Sequence, residues 1–395
     1  MVKRKSRPKV LVVAPTLPKY DKNAGDLRLF RLLEILGERH DIVYLAFGET
    51  GEGPNEEKRY LASLEKLNVT AFVRDYSLVK VLRDNEFMAA IIEFYYTAEH
   101  HIPRIRMLQP KCRVIVDTVD IHYRRAYSKY GVTKNPKDLA IAEKTKREET
   151  DLYRQADVIV AVTDEDAEVL SRDCPGLTVR ILPTIHDPSP AFEENGNRNL
   201  LFVGGFNHDP NVDAVLYFCD RIFPRIHRSV PECSLTVVGS NPPEQIRRLN
   251  SDCIRIAGFV PSLAPISSNS YISVAPLRFG AGMKGKVGEA MSGGLPVVTT
   301  SIGAQGMGLV HRHNAMICDT PAEFADSVVE LIRNRKLYEE IRRNALEHIV
   351  NRNGTAAVRK RVGEMMEQLE NIKPKRIRFL EKAGIAARFL RKALS

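Results

Sequence analysis

Between Arg278 and Gly303 the chain reads R-F-G-A-G-M-K-G-K-V-G-E-A-M-S-G-G-L-P-V-V-T-T-S-I-G. These residue types in this order suit the binding of a phosphate and of hydroxyl groups together. Gly280, Gly282 and Gly285 allow positive φ and close approach of the backbone to a ligand. Lys284 and Lys286 place two cations at that point, and Glu289, a turn further on, is an acceptor for hydroxyl hydrogen bonds. Phosphate plus sugar hydroxyls means a nucleotide. Two other readings of the run are weaker. G-A-G-M-K-G satisfies the dinucleotide fingerprint G-x-G-x-x-G, but the acid expected on the ribose about twenty residues later is absent from Ser301 to Gly306. A purely structural glycine turn would set two lysines against one another with no anion between them.

The elements that must position this loop are a strand before it and a helix after it. Tyr271 to Leu277 (Y-I-S-V-A-P-L) has the unbroken apolar character of a strand covered on both faces. The helix that follows the glycines aims its unpaired first N–H groups back at the loop, and its positive end suits phosphate.

The run G-M-K-G-K-V-G-E-A-M-S-G-G-L-P-V-V-T-T-S-I-G-A resembles the donor-binding segment of GT-B glycosyltransferases, in particular the retaining family 4, glycogen-synthase-like group. The resemblance implies an α/β protein of two Rossmann-like doubly wound domains facing across a cleft. It places an acceptor-side domain at 1–185, a nucleotide-sugar donor domain at 186–354, and a crossover helix with a basic amphipathic tail at 355–395. It also implies the transfer of a sugar from a nucleoside-diphosphate sugar to a glycan or lipid-linked acceptor, with retention, in surface polysaccharide or glycoconjugate biosynthesis. The nucleotide sugar is a co-substrate, and no other cofactor is expected. The family's E-x7-E pattern finds its second glutamate in Glu289, while the first falls on Ala281. The work of that first glutamate then passes to the backbone N–H groups of Gly280, Ala281, Gly282 and Met283. In this reading Lys284, with Lys286, neutralises the leaving diphosphate, and Glu289 holds the ribose.

The remaining candidates follow in chain order. Lys9 to Ala14 reads as a buried strand, and Gly25-Asp26 falls where it hands over to a helix, at the edge where such sheets bind ligands. The resemblance sets Gly25 against the donor phosphate; Asp26 reads equally as a helix N-cap. Phe94, Tyr95 and Tyr96, followed by His100 and His101, read as packing residues at the border of a cleft. Val114 to Asp117 runs into D-T-V-D-I-H-Y-R-R, and the charge around His122 is poorly explained by burial alone. The resemblance puts His122 beside the donor sugar. T-D-E-D after the strand Asp157 to Val162 contains D-x-D, but Thr163 followed three residues later by Asp166 reads as a helix cap, so no metal is expected. Pro183 to Asn199 has the composition of an interdomain linker. After it the α/β pattern restarts, and G-G-F-N-H-D-P-N places Gly205 in a tight turn with His208 as the nearest basic residue.

At 395 residues and 44% hydrophobic composition the chain can bury two cores. Its six cysteines show neither C-x-x-C spacing nor a disulfide framework, which fits a reducing cytoplasm. No segment is apolar for the length of a membrane span. The net charge of +10 is concentrated at the ends: residues 1–9 carry +5 and 373–395 carry +7, which leaves a body near −2. A near-neutral body argues against a nucleic-acid surface. Leu380, Ala383, Ala387, Leu390 and Leu394 recur at helical spacing among the basic residues, as in a helix lying on an anionic membrane. The expected location is therefore cytoplasmic, with peripheral attachment to the inner membrane face. Two rivals stand beside the transferase: a GT-B sugar-nucleotide epimerase, for which the motifs supply no acid–base carboxylates, and a catalytically silent sugar-nucleotide-binding scaffold, suggested by Ala281.

The tail reading is checked by vesicle co-sedimentation. The full chain is expected to bind anionic vesicles at low salt, and a chain truncated after Asn371 to lose most of that binding, since each basic residue near the leaflet contributes about 1 kcal/mol. Equal binding by both would remove the tail from the membrane.

Overall fold

The computed structural model describes residues 7–48, 51, 53–74, 77–188, 197–280 and 284–376. The tail from 377 onward and the loop residues Ala281, Gly282 and Met283 lie outside them. The chain divides into two compact units. The first takes the chain to His122, then Glu143–Leu182, then from Arg359 on; the second takes Tyr123–Ala142 and Pro183–Val358. The units change over at Leu182/Pro183 and Val358/Arg359, beside sequence divisions set at 185/186 and 354/355, and the excursion Tyr123–Ala142 is a further interleaved piece.

In the first unit, short runs of Val, Ile, Leu and Ala form seven parallel strands: β1 Lys9–Ala14, β2 Asp41–Ala46, β3 Val69–Val73, β4 Ala89–Glu93, β5 Arg113–Asp117, β6 Val158–Ala161 and β7 Val179–Ile181, in the order β3-β2-β1-β4-β5-β6-β7. The central residues of β1, β2, β4, β5 and β6 are buried on both faces, which is why these strands read as unbroken apolar runs, while the edge strands β3 and β7 are only partly covered. The strand order reverses between β1 and β4, where Val10 pairs with Ala89 and Val13 with Ile92. Ligands of such sheets bind outside the carboxyl ends at this point.

The second unit repeats the plan with β8 Asn199–Val203, β9 Ser234–Val238, β10 Ile254–Gly258, β11 Ile272–Ala275, β12 Val297–Thr299 and β13 Met316–Ile317, ordered β10-β9-β8-β11-β12-β13. Its switch point lies between β8 and β11. Those are the two strands whose following loops carry Gly204-Gly205 and Gly280. β13 has only two residues, too few to show a period in sequence. The helical stretch after β8 is interrupted: Asp209–Tyr217 and Phe223–Ser229 flank a π-helical turn, Phe218–Ile222. Pro224 lacks the N–H an unbroken α-helix would need, and its ring would press on the carbonyl of Asp220.

Two helix starts settle readings made from sequence. Thr163 caps the helix Asp164–Asp173 by accepting from the Asp166 N–H at 2.9 Å. The helix after β1 begins at Ala24 and is capped by Asn23 rather than Asp26.

The first sheet is fixed to its neighbouring helix by one buried ion pair. Arg28, 1% exposed, donates through Nη1 to Asp117 Oδ2 at 2.7 Å, and through Nε and Nη2 to the Leu182 carbonyl at 3.1 and 2.8 Å. Arg28→Met would leave Asp117 buried without its counter-charge. The expected cost is about 3 to 5 kcal/mol to the first unit, read as a lowered urea midpoint. Asp117→Asn in the same chain should recover much of it, and an unchanged midpoint for the single variant would show that the pair stabilises nothing.

Candidate functional site

The second unit brings the residues expected from sequence to bind phosphate to the loops around the β8–β11 switch point. The chain leaves β8 through Gly204-Gly205, and here glycine is required by packing: a Cβ on Gly204 would stand 2.8 Å from Asn211 Cγ. Asn211, buried at the start of the helix Asp209–Tyr217, donates through Nδ2 to the Gly205 carbonyl at 2.7 Å, and its Oδ1 accepts from Lys286 Nζ. A single carboxamide therefore fixes both the turn and the cation. Lys286 reaches Asn211 across the ring of Phe202, with Nζ 4.8 Å from the ring centre. Burial, with the charge of Lys284 second, pulls its ammonium down to a pKa of about 7.

Lys284 occupies the position before the helix Gly285–Ser292 and is 8% exposed. Its Nζ lies 3.5 Å from where a Cβ of Gly280 would stand, so the ammonium folds over the start of the loop. Gly280 has φ +141° and donates its N–H to Ser128 Oγ at 3.2 Å. The same excursion helix brings Lys129 to 3.9 Å from Asp209. Glu289 is exposed on the second turn of its helix, and no described residue donates to its carboxylate, leaving it open to an incoming hydroxyl. His208 is exposed at the start of its helix without capping it. Gly205 also faces solvent, and its Cβ position is 3.4 Å from Ser240 Oγ. Thus Gly205, Gly280, Lys284, Lys286 and Glu289 gather on the loops and the helix that follow β8 and β11.

His186 was not singled out from sequence. It sits in what reads as a linker, yet its Nε2 stands 2.9 Å from Thr184 Oγ1 and its ring lies against Gly288, where a Cβ would come within 2.5 Å of Nε2. Burial lowers its pKa to about 4, so it packs as a neutral wedge behind the helix that carries Lys286 and Glu289.

The first unit holds Gly25, Asp26 and His122. Gly25 has ordinary room for a Cβ, its nearest neighbour being Asn23 Oδ1 at 3.4 Å. Packing within the unit does not demand glycine there. Asp26 accepts from the Lys19 N–H at 3.0 Å and from Asn23 Nδ2 at 2.8 Å. Desolvation nevertheless raises its carboxyl above the ordinary range.

His122 opens the helix His122–Thr133 and is surrounded by ring edges, with the centroids of Tyr95, Phe94 and Tyr96 at 5.4, 5.9 and 5.9 Å. Its Nδ1 stands 3.5 Å from Oε1 of Glu149. That carboxylate is fully buried, accepts from the Tyr153 hydroxyl at 2.9 Å and takes the His122 backbone N–H at 3.1 Å. A slight rotation of the ring makes an Nδ1–H to carboxylate bond and leaves Nε2 directed away from Glu149. Glu149 lies 27 residues downstream in a helix that reads as merely charged. Two backbone outliers adjoin the histidine: Phe94 at φ 64° and Val119 at φ 54°. Such angles are costly for bulky and β-branched residues and cluster at functional sites.

Residues 197–334 match the family model described as glycosyl transferases group 1. An uncharacterized 44.6 kDa protein in the cps region of Klebsiella pneumoniae is 26% identical over 162 residues, 39% of this chain and 42% of that one, so the match spans less than half of that relative. Among solved structures, Anabaena HepE in complex with UDP and glucose superposes with a TM-score of 0.69 at 13% identity, over 91% of this chain and all of that one. A sucrose-phosphate synthase from Thermosynechococcus elongatus gives 0.70 at 13% identity, over 92% of this chain and all of that one. The two parallel-sheet α/β units match the GT-B glycosyltransferase fold.

The Lys286 ammonium generates a prediction for any diphosphate seated at this helix start. The anion favours the charged form, so binding between pH 7 and 8.5 should take up a proton, and affinity should fall as pH rises above 7. Calorimetry of nucleoside diphosphate binding in buffers of differing ionisation enthalpy reads the uptake directly. Lys286→Arg, which stays charged, should flatten the pH dependence; equal heats in all buffers would remove Lys286 from the anion site.

Proposed function

We propose that this chain is a retaining glycosyltransferase of the family 4 type, which moves a hexose-like sugar from a nucleoside-diphosphate donor to a glycan or lipid-linked acceptor. The observation that carries the reading is the set of groups after β8 and β11: Lys284 and Lys286 at a helix start, with Glu289 open one turn beyond. Cations and helix N–H groups at that point stabilise a leaving diphosphate, where negative charge develops as the glycosidic bond breaks. The Glu289 carboxylate takes the ribose hydroxyls. The backbone of Gly280, Ala281, Gly282 and Met283 holds the donor sugar in place of the missing first glutamate. His122, oriented by Glu149, offers Nε2 to the donor sugar, and Gly25 gives the phosphate room.

The match of 197–334 to a glycosyl transferase group 1 domain and the likeness to HepE, seen with UDP and glucose, support a nucleotide-sugar donor. The Klebsiella relative from a cps region supports a place in polysaccharide biosynthesis. Thr163 caps the helix through the Asp166 backbone N–H, and the acids of the D-x-D sit in its first turn, where the helix dipole favours them; we propose that transfer needs no divalent metal. Among the described residues no helix is long and apolar enough to cross a membrane. A cytoplasmic enzyme held at the inner membrane by its basic tail accords with a lipid-linked acceptor.

Incubation with a panel of nucleotide sugars, with and without EDTA, tests this reading. Transfer releases nucleoside diphosphate when an acceptor is supplied, and chelator should not stop it. An altered sugar without release would indicate an epimerase, and binding without turnover a scaffold. Glu289→Ala and Lys284→Ala should each weaken nucleotide binding tenfold to a hundredfold, the cost of leaving one polar partner unmatched. Unchanged calorimetric affinity in both variants would dismiss the site.

A further inference from the structure

A carboxyl group at the switch point of the first unit has no hydrogen-bond or ion-pair partner among the described residues. Glu93 closes β4, an otherwise apolar strand (A-A-I-I-E), and is 4% exposed. Among the described residues nothing donates a hydrogen bond to it. The strand register pairs Glu93 with Asp117 on β5, so both side chains leave the sheet on the same face. The charged and titratable groups that act on it are Asp117, Asp26 and Arg28, and Tyr44 on β2 feels it in turn. Arg28 is already committed to Asp117 and the Leu182 carbonyl, and the Tyr44 hydroxyl to the Thr16 carbonyl at 2.6 Å.

Burying a carboxyl without a hydrogen-bond partner is expensive, and native proteins retain such groups chiefly where function uses them. Glu93 stands at the carboxyl end of β4, next to the β1 turn that carries Gly25 and Asp26, on the crevice where sheets of this order take ligands. Desolvation first, then the neighbouring Asp117 and Asp26, drive its carboxyl well above the ordinary range. Its carboxyl is thereby pushed toward the protonated form, which carries one O–H donor and one C=O acceptor side by side. That pairing matches a hydroxyl, which also donates and accepts, and it gives no support to a phosphate. No group of three or more His, Cys, Asp or Glu with metal-holding geometry occurs among the described residues.

We propose that Glu93, with Asp26 beside it, is a binding subsite for a hydroxyl of the sugar acceptor. The proposal rests on the transferase reading for the word acceptor; the subsite itself is a claim about binding saccharide hydroxyls, and it can fail or stand separately. Glu93 is then a specificity-determining residue rather than a source of the transferred proton.

The test uses the full chain and three forms of position 93. Saturation-transfer NMR with free glucose, galactose, mannose and N-acetylglucosamine reads saccharide binding, and UDP in the same samples reads the nucleotide site. At least one saccharide is expected to bind the parent protein. Glu93→Gln, which keeps an uncharged donor and acceptor, should retain affinity within about threefold. Glu93→Met, similar in size but without either group, should lose tenfold or more, while UDP binding is unchanged in both. Where the nucleotide-sugar panel shows transfer, the same loss should fall on the acceptor KM and not on the donor KM.

Stability gives a second readout, which a structural role would move the other way. Glu93→Met removes a buried unpaired carboxyl and should raise the melting temperature at pH 7. The gain should shrink below about pH 4.5, where the carboxyl is protonated in folded and unfolded chains alike. A lowered melting temperature at pH 7, saccharide binding equal in the parent and Glu93→Met, or no saccharide binding by the parent would each overturn the proposal. Failure of the panel with saccharide binding intact would instead overturn the transferase reading.

Discussion

The loops after β8 and β11 in the second unit depend on the two hydrogen bonds of the Asn211 carboxamide. A carboxamide carries a donor and an acceptor about 2.2 Å apart on a rigid plane, so it can hold a carbonyl and an ammonium at a set separation without adding net charge. Had an aspartate stood here, it would neutralise Lys286 and repel the Gly205 carbonyl, and the site would lose half of its cationic character. The close contact of Asn211 with Gly204 follows from the same arrangement, because a side chain at 204 would displace the amide plane. The glycines after β8 and the lysines after β11, read separately as motifs, are two sides of one contact.

The first unit solves the complementary problem with buried acids. Asp117 is neutralised by Arg28, Glu149 is held by a tyrosine hydroxyl and a backbone N–H, and Glu93 is pushed toward its protonated form by burial and its acidic neighbours. Three carboxyls near the carboxyl ends of one sheet thus have three different electrostatic states, set by what each can reach. The strained backbone of Phe94 and Val119 lies at the ends of β4 and β5, where it turns the chain sharply toward Tyr95 and His122. Strain of this kind persists only because the sheet behind it is fully packed.

Most strands were legible from sequence because both faces of each sheet are covered, which makes the apolar runs continuous, and the loop after β11 stood out because its glycines and lysines are adjacent. The partners of those residues were not. Asn211 is 75 residues from Lys286 and lies in D-P-N-V, which as a motif signals only a helix start. Glu149 reads as one charge among many until the fold buries it beside His122. Glu93 did leave a trace, since an acid ending an unbroken apolar strand contradicts the surrounding pattern. The N-cap reading of Asp26 fails: the helix is capped by Asn23, and the aspartate braces the loop before it. His186 was hidden by its setting among prolines, where composition suggests only a connector.

The interleaving of the two units has a consequence for how the chain is made. Residues from Arg359 onward belong to the unit that contains β1, and Val362 and Met365 face Leu29, Leu33 and Ile91 beneath them. On the ribosome the first sheet therefore waits, with that apolar surface open, until all of Pro183–Val358 has been synthesised. The second unit, needing only the earlier excursion Tyr123–Ala142, can close before the first is complete. Contacts of such long sequence separation form slowly. The nascent first sheet is then the part of this protein most in need of chaperone protection, even though its strands emerge first.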